Sequence, residues 1–265
     1  MSFGLSRGRE LEPGFTLPPA LAPLPDDLLS NRKAAHVDVR AWYDDPARPF
    51  ELEIGSGKGT FLVQEAARRR ETNFLGIEYA MEFYRYAADR IRRAELRNVR
   101  MLGLDAAEFV HWRVPDGVCD VVHLYFADPW PKTKHHRRRM IQDRFLADCT
   151  RIIRPGGELR VVTDHDDYWA WMERHFDRWT GAGRPFAREE FKPVMPPRGA
   201  DEAEGPTVPG GQGEAAEVAA GEPPAAAVKA GELVGTNFER KYRAEGRGFH
   251  ATTLRLVAPD APKPA

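Results

Sequence analysis

The chain has 265 residues, of which 42% are hydrophobic and 30% charged, with a formal net charge of −1. This length suits one domain with a sizeable core. No apolar run is long enough for a membrane span or a signal peptide. The cysteines, Cys119 and Cys149, form no CxxC pair, which argues against a disulfide framework and a zinc site. We therefore expect a cytoplasmic protein without metal or membrane partner.

The predicted elements alternate between strand and helix. Residues 1–48, with several prolines and scattered arginines, are expected to form an irregular arm. Short β-branched runs then predict strands at 50–54, 73–78, 99–104, 118–126, 158–163 and 249–257. Helical periodicity predicts helices at 60–70, 80–96, 106–112, 137–153 and 166–179. This alternation is typical of an α/β fold, a mostly parallel twisted sheet with helices on both faces.

One segment differs in composition from the rest. Residues 197–233 are rich in Gly, Pro and Ala and carry seven acids against two bases, a net charge of −5. Because the whole chain is −1, the remainder is +4. Few large apolar residues are available to offset the entropy of ordering. We interpret the segment as a disordered acidic insertion that interrupts a domain made of residues 49–196 and 234–258.

The first strand leads into the sequence EIGSGKG, residues 53–59. Glu53 lies at the strand end, and Gly55, Gly57 and Gly59 form a tight turn into the next helix. Glycines let backbone N–H groups approach a ligand closely. The GxGxG spacing is one residue shorter than the GxGxxG of dinucleotide binders. A tight turn without any ligand is the alternative interpretation.

The next two strands end in acids, Glu78 and Asp105. Glu78 follows the glycine turn by about 20 residues, where an acid accepts both hydroxyls of a ribose. Either acid alone has a second explanation as the N-cap of the following helix. Together with the glycine turn they outline a nucleoside pocket with no provision for phosphates, which favours S-adenosylmethionine over NAD.

The fourth strand is followed by Asp128, which is flanked by Pro129, Trp130 and Pro131. The prolines restrict the backbone and turn the chain out of the sheet. Trp130 stacks on a base in one interpretation and only packs in the other. Residues 132–139, KTKHHRRR, are called the basic strip below. Their density of positive charge, at a predicted helix start where cations oppose the dipole, indicates a phosphate partner.

These motifs resemble, in order, those of the bacterial tRNA (guanine-N(7)-)-methyltransferase family: ELEIGSGKGTFL, GIEY, LGLDAAEF, FADPWPKTKHHRRR, RPGGELRVVTD and TNFERKYRAEGR. The resemblance implies a single Rossmann-like class I methyltransferase domain with an antiparallel last strand. It also implies methyl transfer from S-adenosylmethionine to N7 of the variable-loop guanine at tRNA position 46. The chain departs from the family in Ala127, where proline is usual, and in the acidic insertion.

The resemblance also assigns residues. It makes Asp128 the catalytic acid and implies these cofactor contacts: Glu53, Gly55, Gly57, Gly59, Glu78, Asp105, Ala106 and Asp128. The implied substrate contacts are Lys132, Asp164, Thr236, Asn237, Phe238 and Glu239. The implied RNA contacts are Lys134, His135, His136, Arg137, Arg138 and Arg139. The division of work between Asp128 and Asp164 stays open.

Two other functions fit parts of the pattern. A proline-aromatic motif after the fourth strand also serves enzymes that methylate exocyclic amines of nucleic-acid bases. A non-catalytic RNA-binding protein would keep the fold and the basic strip. The presence of all four strand-end acids argues against such a loss of the cofactor site. An NAD-dependent oxidoreductase is disfavoured by the glycine spacing. With tRNA as the partner, the sequence is compatible with a monomer or a homodimer.

Overall fold

The computed structural model describes residues 16–193 and 232–257. Seven strands form one sheet in the order β3-β2-β1-β4-β5-β7-β6. Strands β1 to β5 pair in parallel, whereas β7 is antiparallel to both β5 and β6. The strands are β1 (Phe50–Ile54), β2 (Asn73–Ile77), β3 (Val99–Leu102), β4 (Cys119–Tyr125), β5 (Ile153–Thr163), β6 (Phe186–Glu189) and β7 (His250–Leu256).

Helices cover both faces of the sheet, because the central parallel strands are apolar on both sides. One hydrophobic cluster holds residues of α3, α4 and α5, and the opposite cluster holds residues of α1 and α2. The helices are α1 (Thr60–Arg68), α2 (Met81–Arg93), α3 (Ala106–Trp112), α4 (Asp143–Ile152), α5 (Asp166–Trp179) and α6 (Asn237–Ala244). Short 3₁₀ helices span Arg32–Ala35, Val39–Trp42 and Thr133–Arg138.

The predicted α/β fold with an antiparallel last strand is confirmed, and several element bounds are corrected. The helix predicted from residue 137 begins only at Asp143. Residues of the basic strip form a 3₁₀ helix instead, and Arg139 is extended at φ −59° and ψ 135°. Strand β6 and helix α6 were not predicted. Both are short and polar, at four and eight residues, so neither leaves a clear hydrophobic pattern.

The described part of the N-terminal arm packs on the sheet. Tyr43 is buried, and its hydroxyl donates to the carbonyl of Phe74 at 2.6 Å. Arg32 forms an ion pair with Asp148 of α4 at 2.9 Å. These contacts place Tyr43 against β2 and Arg32 against α4.

The predicted acidic insertion lies mostly outside the described residues, which end at Pro193 and resume at Glu232. Its last two residues are described, and Glu232 is buried and paired with Arg240 of α6 at 2.7 Å. Within the described ranges, no helix has the length and apolarity needed to cross a membrane.

Candidate functional site

The carboxyl ends of β1 to β5 meet at one edge of the sheet because these strands are parallel. The edge therefore collects five predicted acids, one from each strand or the loop directly after it: Glu53, Glu78, Asp105, Asp128 and Asp164. Ligands of open α/β sheets bind at this edge. The sequence prediction that these acids share a site is consistent with this topology.

The glycine turn is tied directly to Glu78. One Glu78 oxygen accepts from the backbone N–H of Gly57 at 2.8 Å, and the other accepts from Ala80 N–H at 2.8 Å. A carboxylate has about four lone-pair sites, so each oxygen keeps acceptor capacity for a ligand hydroxyl. Gly59 has φ +68°, and a Cβ there would lie 2.9 Å from Cβ of Ala87. Glycine at this position therefore lets α1 and α2 pack closely.

Glu53 is buried beside this turn without a partner for one of its oxygens. Its side chain is 4% exposed, and Oε2 has no hydrogen bond. Burial, with a contribution from the negative charge of Glu78, raises the pKa of Glu53 to about 8. A buried unpaired carboxyl group is costly. Such a group fits a cationic ligand group, for example an ammonium, which would supply both the missing hydrogen bond and the opposite charge.

Behind Glu53, on the same face of the sheet, lies a buried polar network that the sequence analysis missed. Glu51 forms two hydrogen bonds with Arg69, at 2.6 and 2.7 Å, and a third with Nε2 of His123 at 2.8 Å. Nδ1 of His123 contacts the hydroxyl of Tyr125 at 2.7 Å. Burial favours a higher pKa for Glu51, but the bonds from His123 and Arg69 outweigh it and lower the pKa to about 2.

Asp105 is an N-cap, the alternative that the sequence left open for it. Its side chain accepts from the backbone N–H of Glu108 at 3.1 Å and so caps α3. The residue is exposed, and Ala106 directly after it is 8% exposed at the first turn of the helix. Capping and a ligand contact are compatible, since a cap uses only part of a carboxylate's acceptor capacity.

Residues 126–131, called the DPW turn below, present Asp128 at the surface. Asp128 is exposed at the end of β4. Phe126 and Trp130 on either side of it both have positive φ, 53° and 45°, a conformation that costs about 1–3 kcal/mol each for non-glycine residues. The Trp130 ring packs against Arg138 and His135, with centroid distances of 4.9 and 5.8 Å. The ring therefore packs on side chains of the basic strip.

The basic strip is exposed except at its end. Lys132, Lys134, Arg137 and Arg138 are exposed and His135 and His136 are half-buried, whereas Arg139 is 1% exposed. The guanidinium of Arg139 is therefore enclosed by protein, unlike those of Arg137 and Arg138, and the RNA contact expected of it stays a prediction. The argument from a helix dipole is corrected, since the strip is not the start of an α-helix.

The TNFE motif, residues 236–239, forms a helix cap. Thr236 accepts from Glu239 N–H at 3.1 Å, and Glu239 accepts from Val234 and Gly235 N–H at 2.8 and 2.9 Å. Glu239 is fully buried and Thr236 is 8% exposed, and the substrate contacts expected of both residues stay predictions. The T-x-x-E spacing is the signal of a capping box. Phe238 is 49% exposed, and the side chain of Asn237 lies outside the described part.

Phe238 joins α6 to the site. A Cβ built on Gly57 would lie 3.8 Å from the Phe238 ring, so the ring lies over the glycine turn. Phe126 of the DPW turn contacts Phe238, Tyr242 and Phe249, with centroids 6.4, 6.2 and 5.8 Å away. This aromatic cluster connects the TNFE motif and α6 to the DPW turn, through Phe126.

Asp164 lies on the other side of the DPW turn, after β5. It forms an ion pair with Arg247 at 2.7 Å, a residue that the sequence analysis did not single out. An open cavity of about 390 Å³ lies there, and its lining residues are Asp164, His165, Asp166, Asp167, Arg247 and Gly248. Among the described residues, no group of three or more His, Cys, Asp or Glu side chains is arranged to hold a metal ion.

The fold and the edge together define a class of protein. A Rossmann-like sheet in this strand order, with an antiparallel β7 and with Glu78 after β2 bonded to the glycine turn, is a class I methyltransferase fold. Residues 47–195 match the sequence family described as "Putative methyltransferase". The chain belongs to this family.

Curated relatives carry a more specific name. A tRNA (guanine-N(7)-)-methyltransferase from Corynebacterium diphtheriae is 35% identical over 144 residues, which cover 54% of this chain and 56% of that protein. One of the same name from Rhodopirellula baltica is 40% identical over 127 residues, covering 46% and 47%. The chain thus spans about half the length of the curated relatives it matches.

A solved structure of an aminoglycoside resistance methyltransferase covers 91% of this chain and 98% of its own, with 16% identity and a TM-score of 0.47. The family assignment comes from the sequence matches, and the fold class comes from the strand order.

Proposed function

We propose that the protein is a tRNA (guanine-N7)-methyltransferase that uses S-adenosylmethionine and modifies the variable-loop guanine at position 46. Residues 49–196 and 234–258 would form the catalytic domain. The observation that carries the proposal is the position of Asp128. This exposed acid follows β4, the neighbour of the strand that carries the glycine turn, and is followed directly by the basic strip.

The cofactor is accommodated by groups that already fit it chemically. S-adenosylmethionine supplies a methyl group bound to a sulfonium, with an ammonium at one end and a ribose towards the other. Glu53, with its unpaired oxygen, is suited to the ammonium. Glu78 retains acceptor capacity for ribose hydroxyls beside the glycine turn. Asp105 and Ala106 begin α3 at the same edge and would contact the base.

The acceptor chemistry requires alignment more than proton transfer. Guanine N7 carries a free lone pair, so no general base is needed before it accepts a methyl group, and the gain comes from orientation. The methylated ring is cationic. Asp128 would stabilise this developing charge or hold guanine by accepting from N1–H and the exocyclic amine. Asp164 would share the second task, with its orientation set by Arg247.

The RNA is held by charge. The basic strip, a few residues after Asp128, has four exposed cations: Lys132, Lys134, Arg137 and Arg138. Cations at this density bind phosphates in a salt-dependent way. Phe238 is exposed beside the glycine turn, where an aromatic ring can stack on an unpaired base. These assignments are proposals for the substrate side of the site.

The test is methyl transfer to unmodified tRNA followed by digestion and identification of the methylated nucleoside. We expect 7-methylguanosine, and we expect it to vanish when guanine 46 is replaced. A product methylated on an exocyclic amine would support the amino-directed alternative. Binding of tRNA without any transfer would support a non-catalytic RNA-binding protein. Asp128→Asn should slow single-turnover transfer by about 10²-fold, because the shape is kept and the charge is lost.

A further inference from the structure

Three consecutive arginines end the basic strip, and the third differs from the other two. Arg137 and Arg138 are exposed, whereas Arg139 is 1% exposed and is the largest side chain that the described fold buries completely. A buried guanidinium is retained only where its hydrogen bonds and charge are used. Its contacts therefore indicate what it does.

The contacts of Arg139 join the DPW turn to α5. Its Nε donates to the carbonyl oxygen of Pro129 at 2.8 Å, and its Nη2 forms an ion pair with the Asp167 carboxylate. The guanidinium carbon lies 5.1 Å from the ring centroid of Tyr168 and 5.3 Å from that of Trp171. The guanidinium thus contacts Asp167, Tyr168 and Trp171 of α5, and at the same time it donates to the carbonyl of Pro129.

The chain directly after Arg139 is bound to the same helix. Trp171 donates its indole N–H to the carbonyl of Ile141 at 2.7 Å, and the backbone N–H of Ile141 donates to the Tyr168 hydroxyl at 3.2 Å. Tyr168 is fully buried. The Arg139 side chain and the backbone of Ile141, two residues further on, are consequently both bound to α5, and contact with phosphate would require the guanidinium to leave these partners.

The DPW turn needs such an external donor. Pro129 and Pro131 have no N–H, so the turn cannot use these residues to bond itself. Phe126 and Trp130 both have positive φ, which persists only where surrounding contacts impose it. The N-terminal side is fixed by Phe126 N–H, which donates to Val162 at 2.8 Å. The C-terminal side is fixed at the Pro129 carbonyl by Arg139, and Asp128 lies between these two attachments.

We propose that Arg139 is a positioning residue that sets the orientation of Asp128 through the Pro129 carbonyl, rather than an RNA contact. The inference rests on the proposed function, since it assigns how the acid of that same site is held. A carboxylate that stabilises a developing charge must be held in place, and a misplacement of about 1 Å costs up to about 10²-fold in rate.

The decisive experiment places Arg139→Met in two backgrounds. In the wild type, single-turnover methyl transfer at saturating tRNA and cofactor should slow by about 10- to 100-fold. In Asp128→Asn, the same change should slow it by less than about threefold, because effects of residues acting as a unit are not additive. The tRNA affinity and its salt dependence should stay within about twofold of the wild type. Arg139→Lys, which keeps the charge but not the fork, should fall between Met and wild type.

Two comparisons define the controls. Arg138→Met should instead weaken tRNA binding and flatten its salt dependence by about one unit of slope. Arg144→Met removes an exposed arginine of α4 that pairs with Glu108 and should change none of these quantities. If Arg139→Met fails to fold, Asp167→Asn at the exposed end of the pair tests the same link, with an expected slowing of about threefold in the wild type and none in Asp128→Asn.

Equal slowing in both backgrounds would overturn the inference, because Arg139 would then not act through Asp128. A loss of tRNA affinity with a flattened salt slope in Arg139→Met would return it to the RNA contacts. A wild-type protein that transfers no methyl group to guanine N7 would instead refute the proposed function, and the rate comparison in the two backgrounds would then not arise.

Discussion

Glu51 and Glu53 lie two residues apart on β1 and point to the same face of the sheet, yet they have opposite surroundings. Both are 4% exposed. Glu51 is bonded to Arg69 and His123, and its pKa is lowered to about 2. Glu53 has an oxygen without a partner, and its pKa is raised to about 8. Burial is the same for the two carboxyl groups, so the partners alone decide which of them is charged.

This difference separates a structural acid from a ligand-binding one. An ion pair that is complete within the protein holds β1, β4 and the C-terminal end of α1 together, since Glu51 lies on β1, His123 on β4, and Arg69 is the C-cap of α1. A buried group left incomplete lowers stability, and such groups persist at functional sites. Glu53, whose hydrogen bonding is incomplete, lies towards the carboxyl end of β1, where the glycine turn is, and Glu51 lies further from that end.

The largest expected effect is on stability. Glu51→Ala should lower the free energy of unfolding by about 3–5 kcal/mol, because it leaves a buried histidine and an arginine without their common acceptor. Urea denaturation at pH 7 measures this value. Glu53→Gln is the matched control on the same strand and should leave stability unchanged or raise it, since it replaces a carboxyl group that is already neutral. If the two variants lost equal stability, the contrast between the two acids would be wrong.

Glu53→Gln should in turn weaken cofactor binding. An ionised Glu53 would form a charged hydrogen bond with the ammonium of S-adenosylmethionine, and such bonds contribute about 1.5–3 kcal/mol. Calorimetric titration measures this loss. Glu51→Ala, where it remains folded, should bind the cofactor with near wild-type affinity. Wild-type affinity in Glu53→Gln would show that the unpaired oxygen has no part in binding.

Glu78→Ala sharpens the comparison with a third acid of the same edge. Its oxygens already accept from Gly57 and Ala80, so the variant loses ribose contacts and also loosens the glycine turn. We expect affinity for S-adenosylmethionine to fall by about 1–2 kcal/mol. S-adenosylmethionine lacking its ribose hydroxyls provides the matched ligand, because the variant should lose less affinity for that analogue, which makes no ribose contacts, than for the cofactor itself. A full loss of affinity for the analogue in the variant would show that Glu78 acts on the turn alone.

The placement of the strand-end acids could be predicted from sequence because it depends on topology alone. Once β1 to β5 are parallel, the residues that follow them meet at one edge. The buried partners of Glu51 were also open to prediction, since FELEI places two acids on one face of a buried strand. The T-x-x-E capping box around Glu239 was also readable.

The different fates of Arg138 and Arg139 could not be predicted. Three adjacent arginines are equivalent in composition and charge, and a predicted helix through them does not single one out. Arg139 is buried because the chain is extended at that residue and because its partners lie far away in sequence, with Asp167 28 residues downstream. Contacts of this kind arise only when α5 packs beside the DPW turn, which is information that no local pattern contains.

The smallest expected effect is the pH dependence of cofactor affinity, and it distinguishes the acids most directly. In the free protein the raised pKa, about 8, keeps Glu53 protonated at neutral pH, through burial first and then the charge of Glu78. An ammonium ligand requires the ionised form, so binding releases a proton. Affinity should therefore rise as the pH increases towards about 8, by at most about 1.4 kcal/mol per pH unit, and level off above it.

Calorimetry in two buffers of different ionisation enthalpy measures the released proton, which should approach one per cofactor bound at pH 7. Glu53→Gln should release none from this group and should lose the pH slope. Glu78→Ala should keep the slope but move its upper limit below pH 8, because the neighbouring negative charge that helps to raise the pKa of Glu53 is gone. A wild-type affinity that falls between pH 6 and 8 would give the opposite sign, and the unpaired oxygen of Glu53 would then have to be satisfied by something other than a cation.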